Sequence, residues 1–107
     1  MSGNHDIDWV GASGKRYRYQ VFNVNQPFKA AAGNYIFCKL NAYNVWVPIY
    51  VGQTEDLSER FENHHAMPCI KRNGATHIHV HLTTGGRQVR LDEETDLVRA
   101  HNPVCNG

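Results

Sequence analysis

The clearest pattern in the chain is residues 75–83, where Ile78, Val80 and Leu82 alternate with His77, His79 and His81. A period of two marks a β-strand with unlike faces. Lys15 to Val24 alternates in the same way, with Tyr17, Tyr19 and Val21 set among Arg16, Arg18 and Gln20, and predicts a strand ended by Asn25-Gln26-Pro27. Residues 33–40 (GNYIFCKL) and 45–52 (VWVPIYVG) predict two more strands, joined by a turn over NAYN. Pro48 has no N–H for a ladder bond, so its strand is an edge or carries a bulge there.

Helix signals lie between and after these strands. Asp56, followed three residues on by Glu59, reads as an N-cap with a reciprocal acid and predicts a short helix over 57–65. Pro68 and Gly74 frame a second short helical or irregular piece. Residues 87–101 are rich in Arg, Leu and Glu and predict a long helix stopped by Asn102-Pro103. Residues 1–14 are polar, contain Gly3, Gly11 and Gly14, and read as a loose lead-in. The order of elements predicts a small α+β or α/β sandwich with helices on a short sheet.

Composition narrows the class. The chain has 107 residues, 41% hydrophobic and 20% charged, which suits one globular domain with a modest core. A net charge of +1 excludes a strongly basic protein that coats nucleic acid, so any polyanion contact is a local patch. Two basic groups, Lys15, Arg16 and Arg18, and Lys71 with Arg72, either form solvated faces or rest on phosphates. Apolar runs fall far short of the ~20 residues that span a bilayer. The N-terminal stretch has no basic segment followed by an apolar run, so no secretory signal is expected and the setting is read as cytoplasmic. Cys38, Cys69 and Cys105 are odd in number and form no CxxC pair; they are read as reduced thiols, with no disulfide scaffold or four-cysteine zinc site. Gly14-Lys15 is not a phosphate-binding P-loop, because Trp9 and Arg16 stand where that motif needs Gly and Ser or Thr.

Several polar side chains fall where apolar ones are expected. At about 100° per residue, Leu91, Leu97, Val98 and His101 share one arc of the last helix, and Glu94 lies near its middle. Asp92, Glu93 and Asp96 are expected largely outside that arc. A carboxylate on an inward stripe is costly unless it is paired or metal-bound, so Glu94 either snorkels, pairs with Arg or holds a cation. Leu57, Phe61 and His64 line one face of the expected short helix together with Arg60, which either grips a phosphate or lies over an aromatic ring. Tyr35 and Tyr50 sit on strands between apolar neighbours, as core tyrosines or as reacting phenols. The His77, His79 and His81 row shares one strand face at ~7 Å per step. It is a solvent face, a border of a nucleic-acid groove, or a place where adjacent pairs hold Zn²⁺ or Ni²⁺.

Taken together, these residues resemble the GIY-YIG nucleases. Gly33-Asn34-Tyr35 stands where the family carries GIY, and Tyr50-Val51-Gly52 where it carries YIG. YVGQTEDLSERF is similar to the family's YVGxxxxLxxRL and places Arg60 ten residues after Tyr50. Glu94-Thr-Asp-Leu97-Val98 resembles ExxLI, followed by Asn102-Pro103 and Asn106 as in the NPxxN-type ending. Asn34 departs from the family's middle Ile, at a position that alternates away from Tyr35.

The resemblance covers residues 33–106 and implies a central three-stranded antiparallel sheet flanked by helices. Strands 33–40, 45–52 and 75–83 would form it. Residues 1–32 would add a lead-in and an extra strand to a nuclease domain of 33–107. It implies an endonuclease that hydrolyses a phosphodiester, DNA foremost, with one Mg²⁺ or Mn²⁺. Glu94 would hold the metal. Tyr50 would take the proton of the attacking water, and Tyr35 would orient the water or the base. Arg60 would bind the scissile phosphate, and His64 would carry a proton or donate to phosphate. Gln53 would touch phosphate, Asn106 would close the site at the helix exit, and Gly33 and Gly52 would allow close approach. No targeting domain is expected after Asn106, so substrate choice would come from the domain, from DNA structure, or from a protein partner or second copy. Two rivals remain: a nucleic-acid-binding module without turnover, and a metal-binding protein that uses the histidine row.

Overall fold

The computed structural model describes residues 5–59 and 61–107. Strands β1 (Asp6–Val10), β2 (Arg16–Asn23), β3 (Gly33–Leu40), β4 (Trp46–Thr54) and β5 (His77–His81) form one antiparallel sheet in the order β1-β2-β5-β3-β4. Helix α1 (Met67–Arg72) follows a single 3₁₀ turn at Phe61–Asn63, and helix α2 (Arg87–His101) comes last. The class is α+β. The strands expected to form a three-stranded sheet do lie side by side as β4, β3 and β5, but the sheet has five strands.

Of the two further strands, β2 is the addition expected over residues 15–24, and β1 lies within the stretch expected to be a loose lead-in. Ile7 and Trp9 turn inward and Trp9 is buried, while Asp6 and Asp8 point to Arg18, whose Nε lies 2.7 Å from Asp8. Two acids in five residues hide the period-two signal that Ile7 and Trp9 carry. The loop after β1 is docked on α2 by Asp96, which accepts from the Ser13 N–H, the Ser13 hydroxyl and the Tyr17 hydroxyl.

Among the described residues of 57–65 there is no α-helix, only the 3₁₀ turn at Phe61–Asn63. The Asp56 carboxylate accepts from the Ser58 N–H at 2.8 Å and from the Ser58 hydroxyl, two residues on rather than three. That is an Asx-turn, which bends the chain instead of starting a helix. Pro48 sits on the edge strand, and the β3–β4 register shifts between Phe37 and Cys38, whose partner is Pro48. Ile49 and Tyr50 consequently both join the same core.

Two cores result. Trp9, Tyr17, Tyr19, Ile36, Cys38, Val51 and Leu97 fill the face under α2. Tyr35, Phe37, Ile49, Tyr50, Leu57, Met67, Ile70, Ile78 and Val80 fill the face under α1 and the 3₁₀ turn. The cysteines are not all reduced thiols. Cys69 of α1 and Cys105 of the C-terminal tail form a disulfide with Cα atoms 5.9 Å apart, and Cys38 is free and buried. A 36-residue separation carries no trace of this proximity in the sequence. Among the described residues, no helix is long and apolar enough to cross a membrane.

Candidate active site

Tyr35, Tyr50 and Gly52 share one side of the β3–β4 hairpin, where Phe37 faces Tyr50 and Tyr35 faces Gly52 in register. The two phenol rings lie 6.2 Å apart. Phe61 packs on Tyr35 at 4.8 Å and so fixes the 3₁₀ turn over the strand tyrosines. His64 follows that turn. Its Nε2 lies 2.9 Å from the Tyr35 hydroxyl, and its ring stands edge-on to Tyr50 at 5.0 Å.

The His64 tautomer follows from its second bond. Nδ1 accepts from the Ala66 N–H at 3.0 Å. A neutral imidazole with Nδ1 accepting carries its proton on Nε2, so His64 donates to the Tyr35 oxygen. The Tyr35 hydrogen is left to point at another acceptor. Burial, and then His65 stacked at 4.5 Å, hold the His64 pKa below its ordinary value. A second proton would also break the Ala66 bond.

Glu94 meets the phenols through its charge. It is half-buried, and desolvation raises its carboxyl. Burial and then Glu94 raise Tyr50, and burial, Tyr50 and Glu94 raise Tyr35 further. Three of the expected site residues are thus gathered on the α1 side of the sheet, while the fourth, Glu94, lies on α2. Arg60 lies outside the described residues.

The remaining expected residues take other places. Gln53 pairs with Asn34 on the α2 side of the sheet, where its Oε1 accepts from Arg90 Nε at 3.0 Å. Asn106 uses both ends of its amide on the main chain of Val51, donating to the carbonyl and accepting from the N–H, each at 2.8 Å. It thereby holds β4 between Tyr50 and Gly52. Gly52 gives room to the Tyr35 phenol, and Gly33 lets the β5 backbone pass at His81.

Other polar groups lie where the sequence did not direct attention. The α2 residues facing the sheet are Arg90, Glu93 and Leu97, so the buried stripe is displaced from the expected arc. Glu93, expected outside, is buried, and it accepts from Tyr19 at 2.6 Å and pairs with His81 at 2.8 Å. The sheet supplies polar partners at this point, so a polar ridge can face it without cost. The histidine row is not a solvent face. His79 is fully buried, accepts from Trp9 Nε1 at 2.9 Å and lies against Trp46. Burial, then His77 and His5, push its pKa down to about 3. Among the described residues, no group of three or more His, Cys, Asp or Glu is placed to hold a metal ion.

Beyond Phe61 lies a cavity of about 740 Å³, lined by Phe28, Phe37, Leu57, Met67 and Ile70. Its apolar walls hold the 3₁₀ turn and α1 against the sheet. No protein-family model, no curated protein and no solved structure matches the chain.

Proposed function

We propose that this chain is a metal-dependent endonuclease that hydrolyses DNA phosphodiester bonds in the manner of the GIY-YIG nucleases. The observation that carries the reading is the Tyr35–His64 bond beside Tyr50. Two phenols and an imidazole gathered on the α1 side of the sheet are groups for moving protons near a charged oxygen, and Glu94, half-buried on α2, is the carboxylate the reading assigns to the metal.

Glu94 offers a single carboxylate, so a hard cation there would complete its shell from water and a phosphate oxygen. Mg²⁺ or Mn²⁺ held at Glu94 would supply positive charge for the developing phosphorane and offset the Glu94 charge, which adds to burial in raising Tyr50. Tyr50 then takes the proton of the attacking water. Tyr35, kept protonated by burial, directs its hydrogen to that water or to a phosphate oxygen. His64 fixes the Tyr35 oxygen from behind. Arg60, by resemblance, grips the scissile phosphate, and Asn106 holds the strand that carries Tyr50. The reading sets the chain in the cytoplasm. A disulfide is unusual there unless it turns over, so its thiol state is a property to measure.

The test is nicking of supercoiled plasmid with Mn²⁺ or Mg²⁺, against a chelator control. Metal-dependent conversion to the open circle supports the reading. Binding without conversion supports the rival of a nucleic-acid module without turnover. In either case a net charge of +1 predicts weak binding, with a slope of log affinity on log salt of about −2 to −4.

A further inference from the structure

We propose that the Cys69–Cys105 disulfide is a redox-sensitive tether that holds the two halves of the candidate site in place, and that a dithiol reductant releases it. The inference rests on the proposed function only for its effect on cleavage; its effect on the edge strand stands without it.

The tether joins two segments that reach the site from different directions. One is α1, whose leading residues are bound to His64: Ala66 N–H donates to His64 Nδ1 and Met67 N–H to the His64 carbonyl. Cys69 lies one turn further on. The other is the turn after α2, residues 104–106, which lies against β4. Cys105 N–H donates to the Ile49 carbonyl at 2.9 Å, and the Asn106 amide clamps Val51 through two bonds. These three bonds straddle Tyr50. Asn73 Nδ2 reaches both sulfurs, at 3.5 and 3.7 Å, so the junction is also held from α1's end. Cys69 and Cys105 are both only partly buried, which leaves the bridge open to attack.

Without the bridge, the Cys105 N–H and the two Asn106 amide bonds are what hold the turn after α2 to the exposed edge of the sheet. A segment held to an edge by so few bonds opens locally at little cost. The exchange balances simply. A reductant thiolate attacks one sulfur, the S–S bond breaks and the other sulfur leaves as a thiolate. The reductant's second thiol then displaces the mixed disulfide. The protein gains two electrons and two protons as two thiols, and the dithiol becomes a disulfide.

Amide hydrogen exchange on the full chain, before and after dithiothreitol, tests the proposal. The Val51 and Cys105 amides should exchange at least tenfold faster after reduction, while amides between β2 and β5 change little. A Cys69→Ser, Cys105→Ser double variant should match the reduced chain in both conditions. Plasmid cleavage, where it occurs, should fall by about tenfold on reduction. Equal protection of Val51 in both forms would overturn the proposal, as would three free thiols in the untreated chain. Loosened amides with no cleavage by either form would support the tether and remove the nuclease reading.

Discussion

Gly52 lies directly across from Tyr35 in the β3–β4 register, and a methyl group at Gly52 would stand 2.5 Å from both the Cζ and the hydroxyl oxygen of that phenol. No real contact is that short, so one of the two must move. Tyr35 is closed in by Phe37, Phe61 and His64. Gly52→Ala should therefore displace the phenol from His64 and cost about 1–3 kcal/mol by overpacking. Denaturant midpoints and plasmid nicking check this together. The expected pattern is a folded protein with little cleavage. Gly33→Ala should destabilise more, since its added methyl meets the His81 backbone oxygen at 2.5 Å, which cannot swing aside.

The phenols are not equivalent. Tyr35 is tied to His64, whereas Tyr50 offers only its ring edge to that histidine. A general base is worth about 10²–10⁴ in rate. Tyr50→Phe should lose that much, and Tyr35→Phe should lose less and recover partly at higher pH. His64→Ala should match Tyr35→Phe, and the double variant should add little, because the two act as one unit. Single-turnover rates on a nicked-plasmid time course decide the order. A larger loss in Tyr35→Phe would exchange the two roles.

Glu94→Gln should abolish metal-dependent cleavage and leave the fold intact. The amide keeps the shape of the side chain and loses the charge that a hard cation needs. Desolvation raises the Glu94 carboxyl, so burial already works against its charge. Its neutral replacement should be as stable as the parent or slightly more so. Cleavage at an unchanged rate would place the metal elsewhere.

His79 predicts a pH dependence of stability. Its native pKa is about 3, against about 6.5 in an unfolded chain. Between those values the unfolded state binds a proton that the native state refuses, so stability is full above pH ~6.5 and falls as pH drops. The slope from this residue is about 1.4 kcal/mol per pH unit. His64 and His77, both lowered by burial, act in the same sense. Urea midpoints between pH 7 and pH 5 should fall in the parent. In His79→Gln, whose amide oxygen can still accept from Trp9, they should fall less steeply.

How far the sequence could be read depended on whether the signal was local. Period two found β2 and β5, short apolar runs bounded by turn residues found β3 and β4, and α2 runs over the expected 87–101. Pro48 marked both the edge and the register shift. The short helix failed because one carboxylate at Asp56 had two possible partners, and Ser58 was nearer than Glu59. The approach of Tyr35 and Tyr50 follows from hairpin register, which is local, whereas His64 reaches Tyr35 across 29 positions and was foreshadowed only by motif order. The Glu93–Tyr19–His81 group and the Trp9–His79 bond join residues 12 to 74 positions apart. Nothing in a pattern of hydrophobic positions marks such pairs. For the same reason the bridge between Cys69 and Cys105 was illegible: an odd cysteine count says nothing about which two will meet.

The central claim is cleavage of DNA by groups gathered at the Tyr35–His64 bond. The most direct measurement is the rate of nicking of supercoiled plasmid in Mn²⁺ by the parent chain, Tyr50→Phe and Glu94→Gln, each first shown to be folded. The parent should convert the plasmid to open circles only with metal present, and both variants should be slower by at least about 10². A parent chain that leaves DNA intact under these conditions, or variants that nick as fast as the parent, would contradict it.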